Sequence, residues 1–440
     1  MADNHRSASV LDGFLVTRVL VPQAVRLGWR ISPKTLHRWL RVGDSFRWPF
    51  RLRRRGYDQS MTPEVRAEPP APSGQVLRVS NVELFFELIF VFAITQLTGL
   101  LQDAQEAVDF LRGLLVLILI WWMYAGYVWL TNVTGAGARM RFVLIAAMAG
   151  FLVMGSATPR VYGVDGLAFG LAYLFVIVLH LVAFRVQGGP RVSRAVLLLA
   201  PFNLTAAILV IAAGLIDAPW DWLLFVAAVS PFIAATLSRR ERGFPMSPGH
   251  FVDRHAGVMI IALGESVTGI GSGAAARALD APTVAATVLS LAFIAAIWWS
   301  YFRRDHEQAE QMLTAASADD RARLAVRAYW YPFIAMLFGI VLVATGIQTV
   351  VAHTTDPVGR AAWLISAGLA VYLLGSALFR GLIGIRAVGG RAFGAAAMLA
   401  WAAVGSWLPG VAWLAVAVGL VMAMLVVESR LERAKREAPA

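Results

Sequence analysis

The 440-residue sequence contains no cysteine, which excludes disulfide bonds, thiol nucleophiles and thiolate metal ligands. Charge is scarce as well: charged residues make up 15% of the chain, whereas hydrophobic residues make up 58%. A soluble fold of this length could not bury so much apolar surface, so a lipid bilayer must cover the surplus. The composition therefore predicts an integral membrane protein.

Recognisable enzyme motifs are also missing. The sequence has no phosphate-binding loop and no dinucleotide fingerprint, and Gly264-Glu265-Ser266 lacks the final glycine of a serine-nucleophile elbow because Thr268 stands there. His250 and His255 are five residues apart, which separates them by about 140° around a helix and is unsuited to a zinc-binding helix. We therefore predict no catalytic residues, no metal and no cofactor.

The excess of basic residues gives a net charge of +12, but these residues are spread between apolar segments. Such spacing is typical of topology signals and of contacts with anionic lipid headgroups, so we predict no nucleic-acid partner. Residues 1–79 are the most basic region, with Arg51 and Arg53 to Arg55 followed by a proline-rich stretch. The composition of this N-terminal region predicts either an interfacial amphipathic helix over residues 10–30 followed by disorder, or a basic tail that is disordered throughout.

Twelve apolar segments long enough, or nearly long enough, to cross a bilayer follow residue 80. The predicted fold is all-α, with about twelve transmembrane helices. The segments cover residues 81–101, 111–131, 141–158, 167–185, 195–215, 220–238, 251–271, 284–302, 329–350, 361–380, 392–407 and 410–428.

The first six segments resemble the last six. Ile120-Trp121-Trp122-Met123-Tyr124 recurs as Ile297-Trp298-Trp299-Ser300-Tyr301, and the ends of segments four and six are echoed in order at segments ten and twelve. We predict two six-helix repeats, residues 80–243 and 244–440, which are parallel because each has an even number of spans. Convergent placement of Trp and Arg at the membrane interfaces is the alternative.

Basic and acidic residues alternate between the two ends of these segments. With the N-terminus in the cytoplasm, Arg139, Arg194, Arg240 and Arg304 fall on the cytoplasmic side together with the basic C-terminal tail. Asp109, Asp165 and Asp280 fall outside. The alternation predicts a multi-pass protein of the cytoplasmic membrane with both termini in the cytoplasm.

Three carboxylates within the predicted spans stand out: Glu83 and Glu87 in segment one and Glu265 in segment seven. An ionisable group in hydrocarbon is energetically costly, which makes each a functional candidate. Glu83 and Glu87 share one helical face, so one must be protonated or both must be paired. For Glu83 the alternative role is a capping box with Ser80, and for Glu87 it is an ion pair with an arginine of a neighbouring helix.

Segment seven carries a polar stripe. Asp253, Arg254 and His255 lie near its cytoplasmic end, and Glu265 with Ser266 lies about 16 Å further along. We expect these residues to line a proton or substrate path, unless the first three form a salt-bridge cluster at headgroup level. Glycines from Gly257 to Gly273 permit either close helix packing or a helix break.

The stretches from Val79 to Ile94 and from His250 to Ser266 resemble the bacterial low temperature requirement protein A family. The resemblance extends from about residue 80 to the C-terminus and implies a multi-pass membrane protein of the bacterial inner membrane. The first family motif usually reads Glu-Leu-Phe-Phe-Asp-Leu, so Glu87 stands where the family has Asp. Asp253 likewise stands where Glu is common.

Duplicated halves and intramembrane carboxylates favour a secondary transporter or permease, proton-coupled, for an unknown small solute. Two alternatives stay open. One is a membrane-embedded enzyme that acts on lipid-linked or small substrates, with Glu87, His255 and Glu265 as acid and base groups. The other is a structural or sensory protein in which the carboxylates only fix helix packing.

Overall fold

A computed structural model describes residues 79–216, 220–237, 246–385 and 388–437. The predictions made for the basic N-terminal region, an interfacial helix and contacts with anionic lipid, lie outside the described residues. The described part of the chain is α-helical, with one isolated β-bridge between Pro357 and Pro409.

Helices cover all twelve predicted segments. In chain order they are α1 (Asn81–Gln102), α2 (Ala107–Thr134), α3 (Ala138–Ala157), α4 (Gly166–Gln187), α5 (Gly189–Ala213), α6 (Asp221–Leu237), α7 (Pro248–Ala275), α8 (Ala281–Phe302), α9 (Asp305–Ala315), α10 (Ala318–Tyr329), α11 (Tyr331–Ala352), α12 (Arg360–Leu382), α13 (Gly389–Gly405) and α14 (Gly410–Glu437). The short helices α9 and α10 lie between predicted segments eight and nine and were not anticipated, because their sequences are polar.

Ten helical stretches among the described residues are long and apolar enough to cross a membrane. The helices α6 and α13 are shorter, with 17 residues each. Many large apolar side chains point away from the protein, among them Phe142, Leu171 and Leu198. Lipid is the solvent that such a surface requires.

The helices α2 and α11 form the centre of the bundle, because 78% and 83% of the residues in their most apolar stretches are buried. The helix α1 packs against α3 and α7, and α11 packs against α7 and α12. The two predicted repeats therefore meet where α1 and α2 contact α7 and α11.

The internal repeat stays a prediction, because the positions that suggested it have different surroundings. Trp121 is fully buried, whereas its counterpart Trp298 is 41% exposed. Arg185 is exposed at the end of α4, whereas Arg380, its counterpart on α12, is buried among acidic side chains.

Charged residues lie at both ends of the bundle. At the predicted external end, Arg112 approaches Asp221 at 3.5 Å, and Arg360 donates to the Gln102 carbonyl oxygen at 3.1 Å. At the predicted cytoplasmic end, Arg303 pairs with Glu432 at 2.6 Å. Residues assigned to one side thus contact residues assigned to the same side.

The topology can be tested by cysteine labelling, since the chain has no cysteine of its own. Arg139→Cys and Asp280→Cys each place a thiol at an exposed position, at opposite ends of the bundle. A membrane-impermeant maleimide added to intact cells should label position 280 and leave position 139 unlabelled until the membrane is opened. The reverse pattern would contradict the orientation.

Candidate functional site

The contact between α1 and α7 buries a cluster of charged side chains. Arg254 of α7 donates from Nε to Glu87 Oε1 at 2.5 Å and from Nη1 to Glu83 Oε1 at 2.8 Å. All three side chains are at most 1% exposed. One guanidinium therefore bridges two carboxylates that lie one helical turn apart on α1.

Glu83 has partners on both carboxylate oxygens. Its Oε2 accepts hydrogen bonds from the backbone N–H and the hydroxyl of Ser80, which completes the capping box at the start of α1. Its Oε1 accepts from Arg254 and contacts His250 Nε2 at 3.0 Å. The capping role and the ion-pair role are thus filled by the same side chain, and Glu83 has the surroundings of an ionised carboxylate.

Hydrogen bonds define the protonation of His250. The Asn132 side chain accepts from the Ser247 N–H at 2.8 Å and donates to the Ser247 carbonyl at 3.0 Å, which fixes the orientation of its amide. The same amide nitrogen lies 3.1 Å from His250 Nδ1, so Nδ1 must accept. His250 is then a neutral imidazole whose Nε2–H donates to Glu83.

Glu87 is less completely bonded than Glu83. Its Oε1 accepts from Arg254 and lies 3.4 Å from the Tyr124 hydroxyl, but its Oε2 has no hydrogen-bond partner among the described residues. Arg254 donates from Nη1 to the Thr131 hydroxyl at 2.9 Å, and its Nη2 is likewise without a partner in the described part of the chain.

The cluster carries more acid than fixed base. It contains two carboxyl groups, Glu83 and Glu87, and one permanent cation, Arg254, while His250 is neutral. An unbalanced charge in a buried site is costly, so a proton bound by one of the two carboxyl groups would stabilise the cluster. Glu87 Oε2 is its one carboxylate oxygen without a partner among the described residues, and a proton there balances the charge.

Gly257 gives the Glu87 carboxylate its space. A Cβ atom built at Gly257 would collide with Glu87 Oε2. The helix α7 runs unbroken from Pro248 to Ala275, so its glycines do not break the helix, and Gly257 and Gly273 are the two that pack closely against neighbouring atoms. Gly264, seven residues along the same helix, has nothing within 4 Å of an added Cβ.

These two glycines make a matched pair for mutation. Gly257→Ala should lower the free energy of unfolding by about 1–3 kcal/mol, because the methyl group displaces a buried carboxylate. Gly264→Ala should leave it unchanged or raise it by about 0.5–1 kcal/mol, the usual gain from alanine within a helix. Unfolding in denaturant, followed by circular dichroism, measures both. Equal effects at the two positions would contradict the packing role of Gly257.

The other residues singled out in α7 do not join this cluster. Asp253 is exposed and lies 3.5 Å from His306 of α9. His255 is buried in an aromatic cage with Trp121, Tyr329 and Phe333, and its Nδ1 contacts the Phe251 carbonyl oxygen at 2.8 Å.

Glu265 and Ser266 lie near the opposite end of α7. Glu265 is partly buried beside Thr95 of α1. Ser266 is fully buried, and its hydroxyl oxygen has no partner among the described residues. The interface between α1 and α7 therefore has polar groups near both ends, with Ile94 and Val258 buried between them.

A second buried charge cluster was missed by the sequence analysis. Arg391 of α13 pairs with Asp305 of α9 at 3.0 Å, and Arg380 of α12 pairs with Glu428 and Glu432 of α14. All five side chains are at most 9% exposed. The four-residue spacing of Glu428 and Glu432 repeats that of Glu83 and Glu87 and was an available signal. Glu428 instead closed the twelfth predicted segment and Glu432 fell in the basic C-terminal tail, and neither was singled out.

No group of three or more His, Asp or Glu residues suited to a metal ion occurs within the described ranges.

Apolar helices that cross the bilayer around buried ion-pair clusters define this chain as a multi-pass helical membrane protein. It belongs to the bacterial low temperature requirement A (LtrA) protein family, whose model matches residues 78–427. It is also similar to an uncharacterized protein of Rhizobium meliloti (strain 1021), with 26% identity over 296 residues that cover 63% of this chain and 70% of the relative. No solved structure matches the chain significantly.

Proposed function

We propose that this protein is a proton-coupled secondary transporter for a small solute, with Glu87 as the group that takes up and releases the proton. The observation that carries the proposal is the charge imbalance of the cluster between α1 and α7. Glu83, Glu87 and Arg254 are balanced only when one proton is bound, and Glu87 Oε2 has no competing partner among the described residues. An exchangeable proton at a buried carboxylate is the element that a proton-coupled carrier requires.

The position of the cluster suits alternating access. Glu83 and His250 are near the starts of α1 and α7, at the predicted cytoplasmic end, whereas Glu265 lies near the other end of the same interface. Buried apolar residues, Ile94 and Val258 among them, separate the two polar ends. The interface is closed in this conformation, and a movement of α1 against α7 would expose Glu87 to one side at a time.

The ion pair between Glu83 and Arg254 supports the alternative in which these charges have only a structural role. Glu83 and Arg254 have good hydrogen bonds and almost no exposure, as expected of charges that only fix helix packing. The enzyme alternative has less support, because Glu87, His255 and Glu265 have separate surroundings: a charge cluster, an aromatic cage and the neighbourhood of Thr95.

Purified protein in sealed proteoliposomes tests the proposal. With a pH-sensitive dye inside, solutes from a metabolite library are added outside, and the transporter should acidify or alkalinise the lumen with at least one of them. Empty liposomes and protein with Glu87→Gln provide the controls. The proposal fails if no member of a broad library moves protons and no imposed pH gradient drives solute uptake.

A further inference from the structure

The interface between α1 and α7 is closed around the charge cluster and open toward its predicted external end. Arg254 and Glu265 are eleven residues apart on α7, which places them within about 20° of each other around the helix. Arg254 is fully buried, whereas Glu265 is partly exposed. On α1, Glu87 is fully buried and Thr98, eleven residues further along, is partly exposed. The two helices therefore leave an opening beside Glu265.

The walls of this opening are hydrophilic. Glu265 is hydrogen-bonded to Thr95 of α1. Seven residues beyond each of them, on the same faces of the two helices, Ser272 and Gln102 are exposed. Gln102 donates to Gln348 of α11 at 3.0 Å, so α11 adds a polar group at the outer end.

The composition of one face of α1 changes where the opening begins. Leu88, Thr95 and Gln102 follow one another at seven-residue intervals along this face. Leu88 is 51% exposed, as suits contact with lipid chains. Thr95, Gln102 and the neighbouring Glu265 would find no hydrogen bonds among lipid chains, and a carboxyl group there is costly. Water in the opening supplies the hydrogen bonds that lipid cannot.

Glu265 is the charged group at the inner end of the opening. It forms no ion pair within the part of the chain that the structure describes, and its one side-chain partner there is Thr95. The basic residues near this end are engaged elsewhere. Arg277 donates to the Ala352 carbonyl oxygen at 3.3 Å, and Arg360 donates to the Gln102 carbonyl oxygen at 3.1 Å. An unpaired carboxylate between walls of low dielectric constant attracts cations from water.

The groups beside Glu265 select for the kind of cation. A hard metal ion needs about six oxygen ligands, and one carboxylate with the hydroxyl of Thr95 provides too few. A protonated amine has N–H donors that match these oxygens, and its hydrogen bonds to a carboxylate are strengthened by charge.

We propose that this opening admits a small organic cation, a protonated amine, and that Glu265 binds it. The inference rests on the proposed transport function, since it names the charge of the solute. The buried side chains of Ile94 and Val258 separate the bound cation from Glu87 in this conformation. Water access and cation binding at Glu265 can be measured without transport, so either proposal can fail while the other stands.

The reactivity of a single cysteine tests the opening. Thr268→Cys places a thiol at an exposed position one helical turn from Glu265, in a chain without other cysteines. Open membrane fragments, which expose both faces of the protein, are treated with methanethiosulfonates that carry either a trimethylammonium or a sulfonate group. Glu265→Gln should lower the ratio of the cationic to the anionic rate about five- to tenfold, because one nearby charge acts on the two reagents in opposite directions.

Three controls accompany this measurement. Val267→Cys places a thiol at the same depth on the side of α7 turned away from Glu265, where the exposed residue is apolar, and it should react much more slowly with both reagents. Glu307→Gln removes an exposed carboxylate on α9 and should leave the ratio at position 268 unchanged. Glu265→Asp keeps the charge and should keep most of the preference for the cationic reagent.

Methylammonium chloride tests binding with Glu265 intact, whether or not Glu265→Gln folds. Once its concentration reaches the dissociation constant, it should slow the cationic reagent at position 268 by about twofold relative to sodium chloride of the same concentration. Three results would each overturn the proposal: no reaction at position 268, a ratio of rates that a folded Glu265→Gln variant does not change, or equal slowing by sodium and methylammonium.

Discussion

Replacing Glu87 by glutamine is expected to abolish proton-coupled flux while changing the free energy of unfolding by about 1 kcal/mol or less. The amide keeps the volume of the carboxyl group and still accepts a hydrogen bond from Arg254 Nε. The remaining charges, Glu83 and Arg254, then form a balanced pair without a bound proton. The variant should fold normally and have no exchangeable proton to transport.

Flux and thermal unfolding should be measured on the same preparation of Glu87→Gln. The matched control is Glu307→Gln, which makes the same chemical change at an exposed position on α9 and should leave both quantities unaltered. Normal stability together with undiminished proton flux would show that Glu87 is not the proton-carrying group. A large loss of stability would show that its negative charge is needed for packing.

The shared arginine changes what this experiment can distinguish. A simple ion pair between Glu87 and one arginine would leave that arginine stranded in the variant, at a cost of several kcal/mol. Arg254 instead retains Glu83 at 2.8 Å, so the structural cost of Glu87→Gln is small. The flux measurement is therefore the more informative test of Glu87, and the stability measurement is the more informative test of Arg254.

The helices were predictable because apolar segments of spanning length are a strong signal in sequence. The starts of helices were predictable where a cap is local, as at Ser80 and Glu83. The helices α9 and α10 escaped prediction because they are short and polar, and their burial depends on α7 and α11. Length and apolarity do not reveal helices of that kind.

The residues of the candidate site were predictable from the sequence, but the ion pairs between them were not. Glu83, Glu87 and Arg254 were all identified, yet a guanidinium that bridges both carboxylates depends on how α1 rests against α7. That contact is set by Gly257, whose missing side chain leaves room for the Glu87 carboxylate. The cluster around Arg380 and Arg391 was missed for a related reason: its acidic partners come from α9 and α14, which are distant in sequence.

Replacing Arg254 by glutamine is expected to lower the free energy of unfolding by about 3–5 kcal/mol and to abolish flux. Arg254 is the cluster's one permanent cation, and without it Glu83 and Glu87 face each other in a site where all these side chains are at most 1% exposed. The carboxylates must then take up protons or draw water into the contact between α1 and α7, and either change weakens the packing.

A double variant separates charge balance from the mere loss of a large side chain. Glu87→Gln combined with Arg254→Gln removes the arginine and also the carboxyl group that faces Glu83, and it leaves Glu83 with Ser80 and His250 as partners. If repulsion between the two carboxyl groups is the main cost of Arg254→Gln, the double variant should regain about 1–3 kcal/mol of the lost stability, a coupling of the size found for contacting residues. Chemical unfolding of the two single variants and the double variant measures this coupling. Additive losses would mean that Arg254 stabilises the bundle by its packing against Tyr124 and Thr131, and that its charge matters little.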